Sequence, residues 1–334
     1  MTPTGKVRRR PVLAVFVAFC SALFFTLTYV LNRASASDGG HWAWTASLRY
    51  FITLPLLLPL MPWQGGIRPI LTSITAHPWV WLKCGAIGFL LFYATLSYAA
   101  SSGPSWLVAG TFQFTVIAGM LCSPFIYQDE RRRIPSSGIA ISLLILSGVF
   151  MMQAGQSGES LDTHGWIAAG CVIVGAVAYP LGNRLLLLHL ERTNEDLTAA
   201  QRVFGMTLVS QPLWILVAAF GFTQAGLPSP GQVGLAAGVA LSAGVIATIL
   251  FFEATGMVRD QPVALGAAES MQASELIFAM LLGVAFLNES WPRGVAMIGA
   301  ILVILGIICF AMIVSWSSSA SSQEIKAMRS DKGG

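Results

Sequence analysis

Charge is scarce in this chain. Asp, Glu, Lys and Arg make up 10% of its 334 residues, against about 25% in a soluble domain. With 55% apolar residues, it lacks the polar surface to stay in water. Soluble enzyme and binding-module folds are excluded, and a polytopic membrane protein is expected. Catalytic signatures are missing too. There is no phosphate-cradling loop, no Gly-x-Ser-x-Gly and no metal-ligand cluster. The four His (41, 77, 164, 189) stand in loops or at span ends and share no spacing. The five Cys (20, 84, 122, 171, 309) fall within apolar runs, which suits small packing residues. The expectation is no enzyme, no metal and no cofactor. Without a nucleotide-binding domain, any transport must be gradient-driven.

What is present is oily and long. Ten candidate spans run over 11–31, 42–61, 79–100, 105–127, 134–152, 166–188, 203–222, 233–257, 263–287 and 295–316. Most reach about 20 residues, enough to cross about 30 Å of hydrocarbon as helix. They are too long for barrel strands and do not alternate at period two. The breaks carry Gly, Pro, Ser and charge. Residues 101–104, Ser-Ser-Gly-Pro, leave spans three and four as a tight hairpin.

Lys and Arg set the orientation. A cytoplasmic N-terminus places 16 of the 19 basic residues inside, Arg184 and Arg202 among them. Only Arg33 and Arg293 fall outside, and Arg49 lies within the second span. Both termini are therefore expected in the cytoplasm of a cell with this protein in its plasma (inner) membrane. The net charge of +4 fits inner-face basic residues near anionic lipid and calls for no nucleic acid. Residues 1–10 form a basic tail. The apolar stretch after it is longer than a signal-peptide core and reads as an uncleaved first helix.

The chain also repeats itself. Asn32-Arg33 and Asn183-Arg184 are 151 residues apart, as are Cys20 and Cys171. Arg49 and Arg202, and Pro59 and Pro212, are each 153 apart. "LFYATL" (91–96) answers "FFEATG" (251–256), Pro104 answers Pro262, and Glu130 answers Glu289. A colinear set with a slowly drifting offset implies duplication of five spans. Five is odd, so the second copy enters the membrane from the opposite side. Such inverted repeats place a substrate site near the midplane between the halves. The expected fold is all-α, with ten transmembrane helices as two inverted five-helix repeats. The divisions are a basic tail (1–10), a first repeat (11–152), an external loop (153–165), a second repeat (166–316) and a C-terminal cytoplasmic tail (317–334).

Here the residues resemble a family. "ELIFAMLLGVAFLNESWPRGVAMIGAILVILGI" (275–307) is similar to the closing helix pair of the drug/metabolite transporter superfamily, EamA-type. "QFTVIAGMLCSPFIYQDERRRIPSSGIAISLLILSGVFMM" (113–152) repeats that pattern loosely, and "SLRYFITLPLLLP" (47–59) resembles the superfamily's second helix with its embedded Arg. Within it, the chain looks most like the ten-helix multidrug resistance efflux transporters. Two departures stand out: Leu276 follows the acid where the family often has Pro, and Gln113 is taken as the first-half counterpart of Glu275.

Three acids lie in expected spans: Glu253, Glu269 and Glu275. A charge at the bilayer centre costs about 2.5–3.5 kcal/mol on insertion scales, so such residues face a cavity or a partner. A carboxylate withdrawn from water holds its proton to higher pH, where a lipophilic cation can compete for it. Glu269 and Glu275 are the leading candidates for proton or substrate coupling. The alternatives are a hydrogen bond to a neighbouring helix for Glu269 and pairing with Arg49 or backbone for Glu275. Glu253, near the cytoplasmic end of span eight, could instead be solvated. Glu269, Gln272 and Glu275 recur every third residue and could form a polar stripe along span nine. Arg49 is a candidate substrate contact or structural ion-pair partner. Gln113 could read a polar substrate group or bond a neighbouring helix. Tyr93, Trp106, Phe112 and Phe252, with Phe92 and Phe251, could form an aromatic box for a cation. Trp42, Trp44, Trp79, Trp81, Trp166 and Trp291 read as interfacial anchors. Asn32 and Asn183 read as helix caps, and Arg202 as interfacial.

The expectation is a secondary transporter, a proton-coupled exporter of lipophilic or cationic compounds working by alternating access as monomer or homodimer. Its partners would be a small-molecule substrate, protons and the bilayer. One alternative is a permease for a polar metabolite such as an amino acid, organised by Arg49 and Gln113. Another is a non-transporting scaffold or sensor.

Overall fold

A computed structural model describes residues 4–102, 105–134, 136–154, 163–286 and 293–330. Every regular element among them is helical. Hydrocarbon offers no partner to backbone N–H and C=O groups, so a long apolar run must satisfy them within one helix. Helix α1 is Thr4–Ser37 and α2 Trp42–Leu57, which tightens into a 3-10 turn over Leu58–Gln64. The short α3 (Arg68–Ala76) leads into α4 (Pro78–Gly85), a π-helical stretch (Ala86–Leu91) and α5 (Phe92–Ser102). Next come α6 (Ser105–Phe112), α7 (Thr115–Ile126), α8 (Ser136–Ala154), α9 (Thr163–Arg192) and α10 (Ala199–Ala225). Then α11 (Pro230–Val239), a second π-helical stretch (Ala240–Ala247) and α12 (Thr248–Met257) form one rod. Last are α13 (Pro262–Ser270), a 3-10 turn (Met271–Ala273), α14 (Ser274–Phe286) and α15 (Val295–Ser330).

Six of these rods are long and apolar enough to cross a membrane among the described residues, and shorter apolar helices accompany them. The expected fourth and ninth spans are broken, at 113–114 and at 271–273. Helices also overrun the expected ends. The first continues past Asn32-Arg33 to Ser37, and the last remains helical to Ser330. The local signals are plain where they occur. Thr198 and Gln201 form a reciprocal capping box at the start of α10. Gly226, at φ +73°, ends that helix, and its carbonyl accepts the Trp44 indole N–H at 2.8 Å.

The exterior is as oily as the interior. Phe125 is 91% exposed, and Phe16, Phe150, Ile215 and Leu216 are exposed with it. Exposed apolar surface on this scale is untenable in water and fits a lipid-facing belt. The protein is an integral membrane protein.

Helices pair in a regular way: α2 packs on α10, α7 on α13, α8 on α15. Helix α1 packs on α12 and its π stretch, and α9 packs on α5 and the other π stretch. Between α8 and α15 the backbones nearly touch. A Cβ on Gly299 would stand 2.4 Å from the Gly148 carbonyl oxygen and 2.6 Å from the Met152 nitrogen. Backbone cannot step aside as a side chain can. Gly299→Ala is expected to cost about 1–3 kcal/mol by overpacking and to lower the thermal unfolding temperature in detergent. Gly170→Ala, where a Cβ meets nothing within 4 Å, is the control and should leave it unchanged.

Candidate functional site

Glu269 and Glu275, six residues apart, have entirely different surroundings. The 3-10 turn between α13 and α14 separates them, so no continuous polar stripe forms. Glu269 is 1% exposed and is gripped by Arg184 of α9. The guanidinium Nε donates to Oε1 at 2.8 Å and Nη2 to Oε2 at 2.9 Å. Nη1 donates to Ser123 Oγ at 2.8 Å. Both carboxylate oxygens are therefore taken by one planar fork. Helix α7 makes room for them at Gly119. A Cβ there would fall 1.9 Å from Glu269 Oε2, far inside van der Waals contact. Arg184, expected among the inner-face charges, is instead a buried partner of Glu269. The signals that could have found it were the repeated Asn-Arg pair and a glycine one helix away.

Glu275 has no such partner. It is 2% exposed, and among the described residues no cation lies within ion-pair distance of it. Its Oε1 is buried with no hydrogen-bond partner. The carboxylate borders a cavity with Arg49 and Gln272 as its other strongly polar neighbours, and Tyr29 lines the same cavity. Phe25, Phe92, Phe112 and Tyr179 supply aromatic wall. Space open to the centre of a water molecule amounts to about 20 Å³. That seats a water or two and falls far below the roughly 300–1,000 Å³ of drug-sized pockets. The polar centre is tightly packed in this conformation.

Arg49 is 2% exposed and carries no ion pair among the described residues. Its guanidinium lies 3.9 Å above the Tyr93 ring and 5.4 Å from that of Tyr50, and its Nε has no partner. Aromatic faces, not a carboxylate, hold this charge. Asn32 fixes the nearer ring. Its Nδ2 donates to the Tyr93 hydroxyl at 3.0 Å, and that hydroxyl donates to Asn32 Oδ1 at 3.1 Å. Asn183 likewise donates to Thr255 Oγ1 at 2.8 Å. Neither Asn caps a helix; both lie inside one and bond across to another.

The remaining candidates divide. Phe112 and Gln272 line the cavity. Gln113 is fully buried at the break between α6 and α7. Tyr93 acts on the cavity through Arg49, and Phe252 packs against Phe89 away from it. Trp106 stands on α6, but its side chain lies outside the described set. Glu253 is exposed, in keeping with a solvated or lipid-edge position. Arg202 is not interfacial: it is 4% exposed, with Nη2 donating to the Phe252 carbonyl at 2.6 Å. Trp81 is no anchor either, being buried with its indole donating to Ser73 Oγ at 2.9 Å, while Trp79 and Trp166 are exposed. Trp291 lies outside the described residues.

At the end of the bundle where α7 and α9 finish, Arg131 gathers acids. It bonds Asp129 and reaches Glu191 at 2.7 Å and Asp260 at 3.6 Å. The adjoining guanidinium holds the Asp129 carboxyl below its usual range. Any contribution of that pair is present above the ordinary carboxylate pKa and lost as pH falls through the depressed one.

An oily exterior wrapped around buried charge and a small polar cavity defines a membrane protein that holds polar groups within the bilayer. Residues 12–316 match the EmrE family, described as "Putative multidrug resistance efflux transporter". The chain belongs to that family of non-enzymatic transporters. It is 39% identical to "Uncharacterized protein YjlA" of Bacillus subtilis (strain 168) over 303 residues, covering 88% of this chain and 92% of that protein. It is 36% identical to an "Uncharacterized 42.1 kDa protein in intracellular alkaline protease 3'region" of Shouchella clausii, covering 95% and 77%. A solved structure described as "Crystal structure of protein" shares the fold, with TM-score 0.68, 16% identity, and coverage of 92% of this chain and 98% of that one.

Proposed function

We propose that the protein is a proton-coupled secondary exporter of lipophilic, cationic small molecules, with Glu275 as the exchange site. The observation that carries this is the contrast between the two acids. Glu269 has both oxygens committed to Arg184, whereas Glu275 stands on the cavity wall with its buried Oε1 unpartnered. A carboxylate that binds either a proton or an organic cation couples the two fluxes without further machinery. The aromatic walls suit an apolar body with a positive group. The cytoplasmic placement of both termini rests on the Lys and Arg bias alone.

Alternating access follows from a ten-helix inverted repeat, and several features support that reading. The pairs α2–α10, α7–α13 and α8–α15 join corresponding members of the two halves. The π-helical stretches begin at Ala86 and Ala240, 154 residues apart. The mutually packed Gly148 and Gly299 are 151 apart. Asn32 and Asn183 each bond the third rod of their own half. The helix breaks align Gln113 with Gln272, 159 residues on, rather than with Glu275.

A second reading is favoured by Arg49, which shares the cavity with Glu275. A guanidinium and a carboxylate facing one small space also suit a zwitterion such as an amino acid. Proteoliposomes with an imposed pH gradient separate the two. A lipophilic cation should move against its gradient and stop when a protonophore is added. Arg49→Gln should leave most of that flux. Flux of amino acids but not cations, lost in Arg49→Gln, would replace the first reading with the second. No gradient-driven flux of either class would overturn both.

A further inference from the structure

Away from the cavity, three ligand-bearing side chains converge that are far apart in sequence. His77 stands in the corner between α3 and α4, His189 in the last turn of α9, and Glu195 in the turn leading to α10. One ligand atom from each lies within 4.8 Å of the others, and all three residues are half-buried. The imidazoles meet edge to face with centroids 4.7 Å apart. The convergence is built by the backbone. Asn194 takes the left-handed conformation at φ 55°, and the Glu195 N–H donates to the Leu190 carbonyl at 2.9 Å, folding the turn back over α9.

A second observation points to a ligand. His189 Nε2 is buried from solvent and has no hydrogen-bond partner. Leaving a polar atom in that state is costly, and a metal ion would satisfy it. Two imidazole nitrogens and a carboxylate oxygen form a donor set suited to zinc, with a fourth position left for water. Roughly 2.0–2.1 Å bonds to a tetrahedral ion place neighbouring donors about 3.3 Å apart, so the three side chains would have to draw closer around a bound ion. Copper and nickel accept the same donors.

We propose that His77, His189 and Glu195 form a binding site for a zinc-class divalent cation. A bound ion would tie the α3–α4 corner to the α9–α10 turn, and so join elements of the amino- and carboxyl-terminal parts of the chain.

The test uses full-length, tag-free protein in detergent, stripped of metal, titrated with Zn²⁺ against a chromogenic chelator. Uptake of one Zn²⁺ per chain is expected, at least ten-fold weaker in His77→Ala, His189→Ala and Glu195→Gln, and unchanged in His41→Ala. Stoichiometric uptake that survives those three substitutions would overturn the assignment, as would no uptake. Should a variant fail to fold, Cu²⁺ bound to the wild type decides by electron paramagnetic resonance. Coupling to two nitrogens supports the site, and its absence overturns it.

Discussion

Glu275→Gln is expected to give a folded protein that no longer transports. Gln occupies about the same volume and keeps a polar head beside Tyr29 on the cavity wall. It also removes the ionised state, whose desolvation costs several kcal/mol inside a protein. Stability should therefore hold or rise. Transport should fall at least about 100-fold, because an amide takes up no proton near neutral pH and no other carboxylate lines the cavity among the described residues. Substrate efflux from cells at matched expression, with thermal unfolding of the purified variant, checks both halves. Undiminished efflux by Glu275→Gln would remove the residue from the mechanism.

Arg184→Ala should do the opposite and damage the fold first. It leaves Glu269 buried with neither oxygen paired, and Glu269→Gln strands the guanidinium in the same way. Breaking a buried pair from one side costs about 3–5 kcal/mol. That amount should show as a fall in unfolding temperature, and in poor recovery of monodisperse protein. Replacing both at once, with Arg184→Met and Glu269→Leu, removes the stranded charge. The double variant should be more stable than either single one. Strict additivity of the two losses would mean that the pair is not energetically coupled.

The sequence announced the membrane, because scarce charge and long apolar runs leave no other solvent. It could not reveal the difference between Glu269 and Glu275. Both are acids in one apolar stretch, and what separates them is a cation 85 residues away in the chain. Arg184 itself was hidden by position: near a span end, a charge looks interfacial, yet α9 continues to Arg192 and keeps it inside. The break at 271–273 was equally hidden, because Met-Gln-Ala carries no Pro or Gly to announce it. The His77–His189 contact depends on the long-range packing of α4 against α9, which no local spacing encodes.

The small size of the cavity also sets a clock on inhibition. With room for a water or two at its polar centre, this conformation admits no drug-sized molecule there, so a compound that binds that centre must wait for the bundle to open. Its observed association rate would rise with concentration only until opening limits it, and then level off. A plateau in a stopped-flow series would report the opening rate of the transporter directly, with no label on the protein.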